Sequence, residues 1–267
     1  MKRLILFISL VSLIGIFYVT LPNTKPMVIV CDVGQGDAIL AMYKNTQILF
    51  DVGPDNKKVL KCLEKHMPFW DKTIEAIVLS HGDSDHIGGL NDVIKSYKVK
   101  NFFSNGYLDK DIEQNIYSKK ISQNDIVSIS LFDFEVVWPE EKLEIDRSAS
   151  SADDDSNKNS VAGILSLKNS SWMMFLTGDM ESDSEQKLIW REILNKPITV
   201  LKVSHHGSKT ATSEELLEIL KPKTAVISVG KNNRFGHPTK EVLERLKNSG
   251  AEIKRTDEDG EVVFNLN

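Results

Sequence analysis

Cysteine is nearly absent from this chain. Only Cys31 and Cys62 occur among 267 residues, each inside an apolar-patterned stretch, so a disulfide framework does not hold the fold together and the pair reads as two buried thiols. A single bridge between them stays open, because sequence spacing does not fix how near their Cα atoms come. An excess of positive charge is also missing. With a formal net charge of −5, the molecule as a whole does not grip nucleic acid by electrostatics, although a local basic patch is compatible with that balance. No internal repeat stands out. The amino-terminal segment lacks both a small-x-small cleavage signal and a lipid-accepting cysteine, since it leaves its apolar run as Tyr18-Val19-Thr20-Leu21-Pro22.

What is present is an ordinary globular composition, 41% apolar and 27% charged, behind a distinct leader. Lys2 and Arg3 precede an uncharged run over 4–21 that is at the lower edge of what spans a bilayer. Residues 1–22 are therefore expected to act as a signal peptide or membrane anchor, with a retained anchor favoured. The positive residues ahead of the run place the body of the protein outside the cytoplasm. After a linker over 22–26, residues 27–267 read as one α/β domain.

Strand patterns cover 27–33, 38–43 and 46–51, separated by the turn signals Gly34-Gln35-Gly36-Asp37 and Lys44-Asn45. A helix over 56–66 leads to a strand that ends at Ser80, and Gly88-Gly89-Leu90 opens the next helix. Strands follow at 101–103, 127–129 and 132–138. The polar stretch 139–159, with Asp153-Asp154-Asp155, reads as an exposed insertion rather than a cation site. Strands at 161–167, 172–177, 199–203, 225–229, 252–255 and 261–264 then alternate with helices at 184–194, 213–220 and 239–248. Such an order permits two packed sheets with helices outside.

The densest chemistry is Ser80-His81-Gly82-Asp83-Ser84-Asp85-His86, directly after the apolar strand Ala76-Ile77-Val78-Leu79. Carboxylates crowded this closely repel and raise one another's pKa, so the run makes physical sense with a cation among them. Neutral imidazole is the commonest transition-metal ligand, and a mixed His/Asp set suits Zn, Mn or Fe better than Ca or Mg. Five of the six histidines (His81, His86, His205, His206 and His237) follow strand patterns, whereas His66 looks incidental. Asp179 ends a further strand, where it either caps the next helix or bridges cations. Asp51 ends another, as a turn former or as the acceptor that orients a metal-bound histidine.

These motifs together, His81-x-Asp83-x-Asp85-His86, Thr177-Gly178-Asp179, Ser204-His205-His206-Gly207-Ser208 and Gly236-His237-Pro238, resemble the metallo-β-lactamase fold superfamily. With Asp32-Val33-Gly34-Gln35-Gly36-Asp37, the chain is similar to the soluble hydrolase domain of the ComEC family of DNA-uptake proteins. The resemblance covers nearly everything from Met27 onward and implies a four-layer αββα sandwich. It also implies two divalent metal ions, Zn or Mn, with His81, Asp83, Asp85, His86, Asp179 and His205 as ligands. His206 is an alternative to His205, a choice the sequence leaves open, and Asn157 and Asp51 are additional candidates. Where the superfamily carries a second histidine in its first motif this chain has Asp83. No histidine lies between His86 and His205; Asn157, Asn159 and Ser160 stand in that region instead. The first site is thus richer in oxygen, which shifts the preference from Zn toward Mn.

The same resemblance implies an exported hydrolase in which paired cations ready a water for attack. A phosphodiester or nucleic-acid-like substrate is expected, with Asp85 and His237 catalytic. Ser208, Lys209 and Lys202 are candidate phosphate donors. Alternatives are hydrolysis of a lactam, lactone or thioester, and a non-catalytic metal-binding relative. The multi-span portion of true ComEC proteins is not in this sequence, and no protein partner is inferable.

Overall fold

The computed structural model describes residues 24–106, 118–141 and 156–266. The expected leader at 1–22 and the acidic triplet Asp153-Asp154-Asp155 lie outside the described residues. No helix among the described residues is long and apolar enough to cross a membrane.

The first half of the chain runs β1 (Met27–Val30), β2 (Ile39–Tyr43), β3 (Thr46–Phe50), α1 (Lys58–His66), β4 (Thr73–Ile74), β5 (Ala76–Val78), α2 (Ser84–Ile87), α3 (Leu90–Ser96), β6 (Lys98–Val99), β7 (Phe102–Ser104) and β8 (Ser118–Lys120). The second half runs β9 (Ile126–Ile129), β10 (Phe132–Trp138), β11 (Ala162–Leu167), β12 (Met173–Leu176), α4 (Ser182–Trp190), β13 (Val200–Lys202), α5 (Glu214–Leu220), β14 (Thr224–Ile227), α6 (Lys240–Asn248), β15 (Glu252–Arg255), α7 (Thr256–Asp259) and β16 (Val262–Asn265). Among the described residues these form two seven-stranded sheets, in the orders β16-β1-β2-β3-β5-β7-β8 and β15-β14-β13-β12-β11-β10-β9, with β4 and β6 pairing apart.

Side-chain alternation builds the layers. Along β1, Val28 and Val30 face the opposite sheet while Met27, Ile29 and the following Cys31 face the helical layer, as a period of two requires. Both faces are therefore buried, and the strands read as continuous apolar runs rather than alternating ones. The core between the sheets holds Ile39, Ile48, Phe50, Phe134, Leu165 and Met174, with the rings of Phe50 and Phe134 meeting at 4.9 Å between centroids. Outside the first sheet, α1 buries Val59, Cys62 and Leu63, and α3 buries Leu90 and Val93. Outside the second, α4, α5 and α6 bury Leu188, Leu216, Leu217, Leu220, Val242 and Leu246. Three separate cores between four layers make the expected αββα sandwich.

Several details depart from the sequence reading. The helix expected to reach residue 194 stops at Trp190, because Glu192 adopts a φ of 55° and turns the chain so that Leu194 enters the core from a loop. The short strands β4, β6 and β8 carry too few residues to leave a pattern. The closing strand β16 leaves the second half and pairs antiparallel with β1, Met27 opposite Asn265.

The two cysteines are not thiols. Cys31 and Cys62 form a disulfide with Cα atoms 5.9 Å apart, because Cys31 points from the end of β1 into the helical layer and Cys62 lies on the buried face of α1. The bond ties the first sheet to its helix across a separation of 31 residues. A loop of that length corresponds to roughly 2–4 kcal/mol of stabilisation through the unfolded chain. The Cys31→Ser/Cys62→Ser variant should therefore unfold at a lower urea concentration, with a loss in that range; an unchanged midpoint would show the bond to be energetically idle.

Candidate metal centre

The loops at one edge of the sandwich converge. Asp51 follows β3, the run Ser80 to His86 follows β5, Gly178 and Asp179 follow β12, and Ser204 to Gly207 follow β13. Three of the non-glycine residues there sit in the left-handed region, Asp51 at φ 54°, His205 at 48° and His206 at 53°. Each such residue costs about 1–2 kcal/mol, and local strain of this kind is retained where surrounding contacts hold a side chain in a required direction.

Those contacts decide the state of each imidazole. His206 places Nδ1 2.8 Å from the Ser228 carbonyl, which only accepts, so Nδ1 carries the proton and Nε2 presents a lone pair. His86 places Nδ1 2.8 Å from Asp51 Oδ2, with the same result. Asp51 also receives the Ser80 backbone N–H and hydroxyl, each at 2.7 Å. Having donated to Asp51, the Ser80 hydroxyl accepts from His81 Nδ1 at 2.9 Å. All three rings therefore turn Nε2 inward, held by an acceptor on the far nitrogen as metal-bound histidines are.

What the inward nitrogens meet is more acceptors. His86 Nε2 and His206 Nε2 lie 3.3 Å apart. Asp179 Oδ1 is 3.3 Å from His86 Nε2, and its Oδ2 is 3.4 Å from His206 Nε2. Asp85 Oδ2 is 3.3 Å from His206 Nε2. Ligand atoms from Asp85, His86, Asp179 and His206 all lie within 4.8 Å of one another. Four lone-pair groups at this range repel unless a positive charge joins them, and the buried Asp179 Oδ1 has no hydrogen-bond donor. Two nitrogens and two carboxylates fit a divalent transition metal.

A second group lies beside the first. His81 Nε2 is buried with no hydrogen-bond partner and is 3.6 Å from Asp83 Oδ2. Asp83 is steadied by the Ser156 hydroxyl at 2.8 Å, and in the adjoining 3-10 turn (Asn157–Asn159) the Asn157 Oδ1 is likewise buried and unsatisfied. One nitrogen and two oxygens are available there. The rings of His81 and His86 are 4.1 Å apart between centroids, so the two groups adjoin.

His205 stands apart from the cluster around His206. Its Nε2 is 3.8 Å from Asp179 Oδ2, and its side chain is about a quarter exposed, on the solvent side. His237 packs edge-on to His205 at 5.7 Å and stacks on Phe235 at 5.8 Å. Ser208 hydrogen-bonds Thr210 at 3.0 Å, and Lys209 is exposed. Lys202 is corrected as a phosphate donor. It is fully buried, 2.6 Å from Asp37 Oδ2, because it lies on β13 and its side chain runs to the loop that connects β1 and β2. Asp37 was visible in the sequence only as part of a motif; here its Oδ1 sits 3.6 Å behind His206 Nδ1. Ser80 and Ser160 bring hydroxyls to 2.9 and 3.3 Å from His81 Nδ1, and Ser228 gives its carbonyl to His206, contacts that the sequence does not assign. Gly36 is required by proximity: a Cβ there would lie 2.0 Å from the Asp85 carbonyl.

In the metal-free chain the charges rearrange around protons. Burial disfavours a charged His206, but the Asp179 and Asp85 carboxylates outweigh it and push its pKa up to about 9. Against the same burial, Asp179 and Asp51 raise His86 well above its ordinary range. Burial would raise Asp179, yet His206 and His86 hold it far below the usual carboxylate value. Burial likewise opposes ionisation of Asp85, and His206 and His86 overcome it, so its pKa is lowered. The nearby His81 ring, and after it the Ser156 hydroxyl, lower Asp83 against its partial burial. His237 moves the other way, lowered by burial and then by the neighbouring His205 and His206, so its ring is neutral at neutral pH.

The match to known proteins agrees with this architecture. A family model described as the metallo-beta-lactamase superfamily matches residues 31–108, the stretch that carries Asp51 and the run from His81 to His86. The αββα layers beyond that stretch agree with it, and the chain has the metallo-β-lactamase fold. It is similar to competence proteins. ComE operon protein 3 of Bacillus subtilis (strain 168) is 32% identical over 260 residues, covering 87% of this chain and 32% of that protein. Competence protein ComA of Neisseria gonorrhoeae is 29% identical over 245 residues, covering 92% of this chain and 33% of that protein. The chain thus spans about a third of the length of these curated relatives. Among solved structures, the metallo-beta-lactamase fold protein YhfI from Bacillus subtilis aligns with a TM-score of 0.57 at 14% identity, over 91% of this chain and 100% of that one, a likeness of fold alone.

Two outcomes follow. Chelator competition should show His206→Ala losing about 100-fold or more in affinity for one divalent ion, beyond the roughly 10- to 100-fold typical of outer groups, and His205→Ala losing less than that; the reverse ranking would reassign the ligand. Because the His206 pKa is raised, its contribution to the metal-free fold is complete below its ordinary 6.5 and is lost as pH climbs through about 9. The Tm of chelator-treated protein should fall across that window, and metal should abolish the fall by displacing the proton.

Proposed function

We propose that this chain is a metal-dependent phosphodiesterase acting on nucleic-acid-type substrates outside the cytoplasm, held at the membrane by its leader. The observation that carries the catalytic part is the convergence of His86 Nε2, His206 Nε2 and the Asp85 and Asp179 carboxylates at 3.3–3.4 Å. In this reading Asp85, His86 and His206 hold one divalent ion, His81, Asp83 and Asn157 hold the other, and Asp179 serves both. The oxygen-rich second set favours Mn over Zn. When bound, such a pair supplies an activated water and neutralises charge that develops on a phosphoryl oxygen.

The chain's own residues supply the rest. Asp51 and Ser228 keep the imidazole tautomers fixed, so no reorganisation is needed as charge develops. Asp37, locked by Lys202, adds negative charge behind the His206 ring. His237 is neutral, and its Nδ1 is buried with no partner; beside the exposed edge of His205 its ring is placed to hydrogen-bond and polarise a substrate oxygen. Similarity to competence proteins supports the choice of a nucleic-acid-type substrate, and the superfamily supports hydrolysis.

Elemental analysis of the purified protein should find two divalent ions per chain. Purified protein should cleave bis-p-nitrophenyl phosphate in preference to nitrocefin or a lactone. Asp179→Asn should lose about 1,000-fold or more in kcat/KM, some 4 kcal/mol of transition-state stabilisation, with its circular dichroism unchanged. Preferred turnover of nitrocefin or the lactone would overturn the phosphodiester reading, and full activity in Asp179→Asn would overturn the centre itself.

A further inference from the structure

The segment that carries His237 also carries Phe235, one of the few large apolar side chains left exposed, with 52% of its surface open. A lone exposed phenylalanine is unremarkable by itself. This one is held in place. Asn233 Oδ1 accepts the backbone N–H of Phe235 at 3.1 Å and of His237 at 3.0 Å. Its Nδ2 donates to the Gly230 carbonyl at 3.0 Å and the His237 carbonyl at 2.6 Å. One asparagine thus fastens the loop at four points and fixes an apolar ring in water, where nothing in the fold itself is gained.

The ring also belongs to a row of flat groups that runs from solvent to the buried ligands. The Arg234 guanidinium lies over Phe235 with Cζ 4.9 Å from its centroid. Phe235 stacks on His237 at 5.8 Å with 25° between planes, His237 meets His205 at 5.7 Å, and His205 meets His206 at 6.3 Å. Among the described residues Arg234 makes no ion pair, so its position over the ring is a stacking preference and easily given up. A phosphodiester at the centre would have its neighbouring nucleoside at this end of the row.

We infer that Phe235, flanked by Arg234, is a stacking platform that holds an unpaired nucleobase next to the phosphodiester being cut. The inference rests on the phosphodiesterase reading and adds a specificity: the strand must be single, because a base paired in a duplex has no free face, and the contact is indifferent to which base it is. The base enters between guanidinium and phenyl, with the guanidinium stacked on its outer face.

The test uses the metal-loaded full chain and two labelled oligothymidylates, one intact and one with abasic tetrahydrofuran residues around the scissile position. Stacking on an aromatic contributes about 1–3 kcal/mol per base, so wild type should prefer the intact strand in kcat/KM by about 5- to 150-fold. Phe235→Ala should reduce that preference to near unity with an unchanged Tm, and Phe235→Trp should keep it. Quenching of a 2-aminopurine base on binding should follow the same order. If wild type cuts both strands equally, or Phe235→Ala keeps the preference, the platform is overturned and the phosphodiesterase reading survives. If wild type cuts neither strand, both fall together.

Discussion

Everything at the centre depends on which nitrogen of each imidazole carries its proton. A carboxylate, a hydroxyl and a backbone carbonyl each take an Nδ1–H, and in doing so they turn three Nε2 lone pairs toward one another and toward Asp85, Asp179 and Asp83. Remove those outer acceptors and the rings are free to flip or to switch tautomer, and the gathered lone pairs disperse with every side chain still in place. The inner arrangement is unfavourable by itself, since it gathers acceptors only. What holds it together is the sandwich, which fixes the loops.

The fold serves that arrangement through its strand ends. Parallel strands β3 and β5 of one sheet and β12, β13 and β14 of the other run their carboxyl ends to the same edge, so residues far apart in sequence arrive together. Between the sheets, the Asp37–Lys202 pair ties a loop of one to a strand of the other directly behind His206. A pair this buried adds little net stability over an apolar one, but losing either partner leaves a charge stranded beneath the centre.

Much of this was legible in the sequence. Apolar runs such as Ile48-Leu49-Phe50 and Met174-Phe175-Leu176 mark strands buried on both faces, and the histidines and carboxylates that follow them mark the site, because metal chemistry needs uncommon residue types in close succession. Three things were not legible. The disulfide depends on Cys31 and Cys62 facing each other across two layers, a fact of packing that spacing does not encode. That His206 is buried in the cluster while His205 is partly exposed depends on left-handed backbone at both residues, which brings His206 Nε2 to 3.4 Å from Asp179 Oδ2 and leaves His205 Nε2 at 3.8 Å. Lys202 looked like one lysine among many, since burial of a charged residue is visible only when its partner Asp37 is seen beneath it. The leader, read from the run over 4–21, lies outside the described residues.

The pairing of β16 with β1 brings the first and last strands of the described residues side by side. The Leu266 N–H bonds the Pro26 carbonyl at 2.9 Å, so the polypeptide enters and leaves through neighbouring positions on a single rim. A module with its two junctions side by side can be spliced into a host chain at one surface loop without stretching that host.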